Sequence, residues 1–178
     1  MALPSAVPDQ VRNCFGAMTA PSRASDVLRL RSAQLVTLFD SGESEAVLRS
    51  AARILVVDDF ALFRQFVVGL LGKRPELQVV GEASDGLEAL QKAVELRPDL
   101  ILLDIGLPSL NGIEVARQMR SLVPESKIIF LTLESSAAVM EEALSLGARG
   151  YVAKIKAQAD LFAAVEAALS GVTFVSNL

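Results

Sequence analysis

The chain has 178 residues, 52% of them apolar and 21% charged, which suits one well-buried domain with an appendage and excludes a wholly disordered protein. With no histidine and one cysteine, Cys14, it cannot hold a Ser-His or Cys-His nucleophile, histidine-ligated zinc, a phosphohistidine or an intrachain disulfide. Seventeen basic residues against 21 acidic ones give a net charge of -4, no footprint for nucleic acid, and no apolar run reaches the roughly 20 residues of a bilayer span.

The N-terminus, MALPSAVPDQVRNCF, lacks a charged segment followed by an apolar one, so export is not expected. Together with the lone cysteine this predicts a reducing, cytoplasmic location. Residues 1–24 contain Pro4, Pro8 and Pro21 among small residues and read as a flexible tail. Residues 26–39 carry Val27, Leu30, Leu35, Leu38 and Phe39 at loose helical spacing, which predicts a helix capped by Ser25 or Asp26 and stopped at Asp40-Ser41-Gly42. A second short helical stretch, Glu43 to Ala52, is expected to lead into Arg53. Residues 1–52 are therefore taken as an N-terminal extension, partly flexible, and 53–178 as the folded domain.

From Arg53 the pattern becomes regular. Short apolar runs occur at Ile54–Val57, Val79–Val80, Leu100–Leu103, Ile128–Leu131 and Tyr151–Ala153, as expected of strands buried on both faces. Amphipathic stretches of helical length alternate with them: Leu62–Leu71, Leu87–Leu96, Gly112–Leu122, Ala137–Leu146 and Ala159–Leu169. Turn signals stand at the joins, among them Asp85-Gly86, Pro98-Asp99, Asn111-Gly112, Pro124, Gly147 and Gly150. This alternation predicts an α/β fold, a doubly wound five-stranded parallel sheet of flavodoxin-like order 2-1-3-4-5.

In such sheets ligands bind beyond the carboxyl ends of the strands. The first strand ends in Asp58-Asp59, the third in Asp104, the fourth in Thr132 and the fifth in Lys154. Any one of these could simply mark where a strand leaves the core, since Asp and Thr favour turns and caps. Together they bring three carboxylates, a hydroxyl and an ammonium to one rim. Crowded carboxylates raise one another's proton affinity, and a divalent cation relieves them. Magnesium suits the set, because it takes oxygen ligands and leaves positions for water and substrate phosphate. A carboxylate can itself act as nucleophile and become an aspartyl phosphate. Gly69–Lys73, GLLGK, lacks the spacing of a phosphate loop and falls where a helix should end.

The segments RILVVDDFALFRQ, VVGEASDGLEAL, PDLILLDIGLPSLNGIEVARQMR, KIIFLTLESS and GARGYVAK resemble the receiver domain of two-component response regulators, in the wording of its NarL/FixJ-like branch. The resemblance spans nearly all of residues 53–175. It implies Asp104 as the phosphoacceptor. Magnesium would be held by Asp59, Asp58, Asp104 and the backbone carbonyl of Gly106. Thr132 matches the hydroxyl that turns toward the phosphoryl group, Lys154 its ion-pair partner, and Tyr151 the aromatic whose inward rotation accompanies activation. Pro108 and Gly112 match the loop after the phosphorylated strand. Leu133, where a small residue is frequent, is expected to restrict access, and Ile155 stands where many receivers have proline.

The implied function is a phosphorelay switch, with a sensor histidine kinase or phosphotransfer protein as donor. It would not be an enzyme in the ordinary sense, since it would catalyse only its own phosphorylation and dephosphorylation. Output would pass by protein contact, to an effector or through a homodimer, without direct nucleic-acid or membrane binding. The alternative is a DNA-binding regulator without its helix-turn-helix reader, whose linker would begin near Thr173–Leu178. An unphosphorylated interaction module and a metal-dependent phosphohydrolase share the sheet type; the intact acidic, hydroxyl and lysine set argues against the former, and the lack of a visible substrate-binding cap against the latter.

Overall fold

A computed structural model describes residues 51–134 and 136–177. The predicted helices over 26–39 and most of 43–52 lie outside the described residues. Ala52, expected to close the second of them, instead opens a strand, paired with Leu77.

Each of the five apolar runs is a strand, and each amphipathic stretch a helix. In chain order these are β1 (Ala52–Val57), α1 (Ala61–Leu71), β2 (Leu77–Ala83), α2 (Gly86–Leu96), β3 (Leu100–Leu103), α3 (Gly112–Leu122), β4 (Lys127–Thr132), α4 (Ala137–Ser145), β5 (Gly150–Ala153), α5 (Ala157–Leu169) and β6 (Phe174–Val175). All pairings are parallel and the order is 2-1-3-4-5-6. The expected five-stranded order is present, with one short strand added at its edge. β6 pairs Phe174 with Gly150 and Val175 with Tyr151. Two residues carry no periodic signal, so sequence reading could not see it.

Alternation along the central strands divides the core in two. Leu55, Val57, Ile101, Leu103 and Phe130 face α2, α3 and α4, where they meet Ala89, Ala93, Val115, Ala116, Met119 and Ala143. Ile54, Val56, Leu100, Leu102, Ile129 and Leu131 face α1 and α5, against Val67, Leu71, Leu161, Ala164 and Val165. Ala157, Ala164 and Ala168 of α5 are buried on this face, while Ala159 and Ala163 are exposed. Burial of each large side chain on these faces stabilises the fold by about 1.5–3 kcal/mol.

Local chemistry starts and stops the helices. Asp85 caps α2 by accepting from the Leu87 N–H at 2.8 Å, and Asn111 caps α3 by accepting from the Glu114 N–H at 2.9 Å. Gly72 ends α1, its N–H donating to the Val68 carbonyl at 2.9 Å, which gives the GLLGK segment a helix-ending role. Chain order reverses between β1 and β3, so a crevice opens at their carboxyl ends.

Candidate functional site

Asp58 and Asp59 follow β1, and Asp104 follows β3, on the two sides of that crevice. Oxygens from the three carboxylates lie within 4.8 Å of one another. Asp58 and Asp104 are buried, and Asp59 is exposed. The Phe60 N–H donates to Asp58 Oδ1 at 3.0 Å, and the Ile105 N–H donates to Asp104 Oδ1 at 2.8 Å. Each buried carboxylate therefore has one oxygen tied to backbone and the other turned to the crevice.

Lys154 reaches in from the end of β5. Its Nζ is 2.8 Å from Asp58 Oδ2 and 2.9 Å from Asp104 Oδ2. Burial pushes the Asp58 carboxyl above its usual range, outweighing the Lys154 hydrogen bond and charge and the Phe60 N–H; the neighbouring Asp104 charge pushes the same way. Burial also works against the charged form of Lys154. The hydrogen bonds and charges of Asp58 and Asp104 together overcome it and hold the ammonium above its ordinary value. Lys154 thus bridges two of the three clustered carboxylates.

The other expected residues gather around this cluster. Asp59, Asp104, Gly106, Thr132, Leu133 and Lys154 line one open cavity of about 640 Å³. Thr132 is buried, and its Oγ1 accepts from the Glu134 N–H at 3.1 Å. Gly106 leaves its side of the site open: a Cβ there would meet only Asp104 Oδ2, at 3.5 Å. Leu133 lines the cavity and is 73% exposed, so it stands at the mouth. Tyr151 is fully buried beneath the site and does not line the cavity. Its hydroxyl donates to the Glu134 carbonyl at 2.8 Å, and its ring lies 6.4 Å from that of Phe130. The ring is therefore turned inward in this structure.

The loop after Asp104 is tightly held. The Leu110 N–H donates to the Pro108 carbonyl at 2.6 Å around Ser109, whose φ of 62° is left-handed. The Gly112 N–H donates to the Ile105 carbonyl at 2.9 Å. A Cβ at Gly112 would lie 2.0 Å from the Asp104 carbonyl oxygen, and one at Gly86 would lie 2.2 Å from the Leu110 carbonyl oxygen. Only glycine allows either approach.

Two contributors escaped sequence reading. Arg64 of α1 donates from Nη1 to the Asp58 carbonyl at 2.6 Å and from Nε to Glu82 at 3.0 Å, clamping the ends of β1 and β2. Its signal was a lone cation in an apolar helix soon after an acidic pair. Phe63, read as a helix residue, lines the cavity, and Lys154 Nζ lies 5.0 Å from its ring centroid.

The response regulator receiver domain family matches residues 54–166, and the chain belongs to that family. Over 103 residues it is 44% identical to a protein-glutamate methylesterase/protein-glutamine glutaminase of Thermotoga maritima, covering 57% of this chain and 30% of that protein; the match is to its receiver domain. Over 125 residues it is 38% identical to the DNA-binding transcriptional activator DevR/DosR of Mycobacterium tuberculosis, covering 70% of this chain and 58% of that one. The crystal structure of a two-component response regulator of the LuxR family from Aurantimonas sp. SI85-9A1 superposes with a TM-score of 0.67 at 37% identity, over 70% of this chain and 89% of that one. These LuxR-family likenesses agree with the NarL/FixJ-like branch named from the sequence. The chain spans between about a third and three fifths of the length of the curated relatives it matches.

Proposed function

We propose that this chain is a phosphorylation-controlled switch in which Asp104 accepts a phosphoryl group from the phosphohistidine of a sensor kinase or phosphotransfer protein. The observation that carries the reading is the meeting of Asp104 with Asp58, Asp59 and Lys154 at the crevice between β1 and β3. An Asp104 carboxylate oxygen attacks phosphorus as the bond from phosphorus to the donor nitrogen breaks, and the bonding pair leaves with the imidazole. Lys154 is poised to offset charge on the phosphoryl oxygens, and Thr132 to donate its hydroxyl to them.

An all-oxygen donor set on a negative site fits magnesium. Asp58, Asp59, Asp104 and the Gly106 carbonyl would hold it. When bound, the ion neutralises charge on the transferring group. Incubating the protein with magnesium and acetyl phosphate, then measuring intact mass, tests the assignment. One added phosphoryl group is expected; none would sink it.

Exposed Phe60, Leu133 and Ile155 ring the mouth, which suits a donor presented by another protein. Output by contact with an effector or a second copy, and a cytoplasmic setting, complete the reading. Among the described residues no helix is long and apolar enough to cross a membrane. A second reading, the receiver part of a DNA-binding regulator, draws on the likeness to DevR/DosR. Nucleotide sequence downstream of residue 178 decides between them: a helix-turn-helix coding region in frame favours the second.

Two expected results follow from the placement of residues. Leu133→Ala should speed both labelling by acetyl phosphate and loss of the label by roughly a few-fold to tenfold. Because the side chain is 73% exposed, the unfolding midpoint should stay put. A lower midpoint with unchanged rates would make it a packing residue. We also take residues 1–50 as dispensable for folding, since β1 opens only at Ala52. A chain beginning at Ser50 should unfold at the full chain's midpoint, and a drop of several kcal/mol would place the extension in the core.

A further inference from the structure

Lys154 is held from three sides. Two are the carboxylates of Asp58 and Asp104, at 2.8 and 2.9 Å. The third is the ring of Phe63, whose centroid lies 5.0 Å from Nζ. An ammonium carries three N–H donors. With two directed to carboxylates, the remaining side faces the ring, and the negative face of an aromatic ring attracts a cation at that range. Phe63 is itself steadied, packed against the core shared by α1 and α5 and stacked at a tilt on Phe66 with centroids 5.8 Å apart.

The arrangement has a consequence during transfer. As the new bond forms between phosphorus and Asp104, that carboxylate gives up the negative charge that holds Lys154, while the bond to the donor breaks and the donor leaves with the pair. The ion pair weakens at the moment the ammonium is needed beside the phosphoryl oxygens. The attraction of the ring does not change in that step. An aliphatic side chain of similar size would fill the space and supply no such hold.

We propose that Phe63 is a positioning residue for phosphoryl transfer, its ring face keeping the Lys154 ammonium over the site as Asp104 is consumed. This rests on the reading of Asp104 as phosphoacceptor.

The test compares wild type, Phe63→Leu and Phe63→Tyr, each with magnesium and acetyl phosphate, following intact mass against time over a range of donor concentrations. Phe63→Leu should lower the maximal labelling rate about threefold to tenfold, with the half-saturating donor concentration and the unfolding midpoint little changed. Phe63→Tyr, which keeps the ring face, should restore the rate to within about twofold of wild type. A second readout needs no phosphorylation. The Lys154 Hε resonances should be shifted upfield by the ring in wild type and Phe63→Tyr, and should return to ordinary positions in Phe63→Leu. If wild type labels and Phe63→Leu labels equally fast, the positioning role falls and Asp104 stands. Equal slowing of the Leu and Tyr variants also overturns it, because that would be a packing effect. If wild type takes up no phosphoryl group, the reading of Asp104 fails and the positioning role fails with it.

Discussion

Asp104→Asn is expected to take up no phosphoryl group from acetyl phosphate under conditions where wild type is labelled, a fall in rate of at least about a thousandfold. An amide oxygen is a poor nucleophile and a weaker ligand for a hard cation. The same substitution should leave the fold intact. The amide oxygen can keep the Ile105 N–H, and Lys154 keeps Asp58. The amide NH2 that replaces Oδ2 cannot accept from Lys154, a loss offset by removal of a negative charge that helps to raise the Asp58 carboxyl. With these effects opposed, the unfolding midpoint should stay within a few degrees of wild type, roughly the effect of 1 kcal/mol. Labelling of Asp104→Asn at the wild-type rate would end the assignment, whereas lost labelling with a collapsed midpoint would mean only that the domain had unfolded. Asp59→Asn makes a useful companion. Asp59 is exposed, so weaker magnesium binding without loss of stability is expected there.

Gly112→Ala should be the most damaging single-methyl change in the domain, costing about 3 kcal/mol and lowering the midpoint by roughly 10 °C. The added carbon would sit 2.0 Å from the Asp104 carbonyl oxygen and 2.8 Å from the Ile105 Cα. Both neighbours are backbone, and the Gly112 N–H is itself tied to the Ile105 carbonyl, so no side chain can swing aside. Either the α3 N-terminus lifts or Asp104 moves. Gly69→Ala is the control. It too lies in a helix, but its new methyl would meet nothing within 4 Å, and replacing a mid-helix glycine should stabilise by up to about 1 kcal/mol. Thermal unfolding of the two variants side by side decides the matter; equal midpoints would refute the steric argument.

Much of this was legible because buried parallel strands leave an unmistakable trace. Leu100–Leu103 and Ile128–Leu131 are wholly apolar, since both their faces meet helices, and the polar residue that ends each run falls at the ligand rim by topology alone. β2 was only half seen. It runs Leu77–Ala83 rather than Val79–Val80, because an edge strand tolerates Gln78 and Glu82 and so breaks the apolar run. β6, Phe174–Val175, left no trace because two residues are too few to show a period. At the site, side-chain type and position were readable and side-chain direction was not. Lys154 bridging Asp58 as well as Asp104, Tyr151 turned inward toward the Glu134 carbonyl, and Leu133 facing out are rotamer facts set by packing across elements. The Arg64 bond to Glu82 and the Phe63 contact with Lys154 join α1 to residues distant in the chain, which no local pattern encodes.

The Arg64 clamp has a thermodynamic implication. One guanidinium joins the Asp58 carbonyl to Glu82 from a helix whose exposed face carries Leu62 and Phe66. A protein that grips that face and thereby shifts the clamp changes the grip of the acidic cluster on a cation by some factor. Linkage then requires the cation to change the affinity of that protein by the same factor, in the same direction. Titrating metal with the partner present, or partner with the metal present, would measure one coupling constant from its two ends.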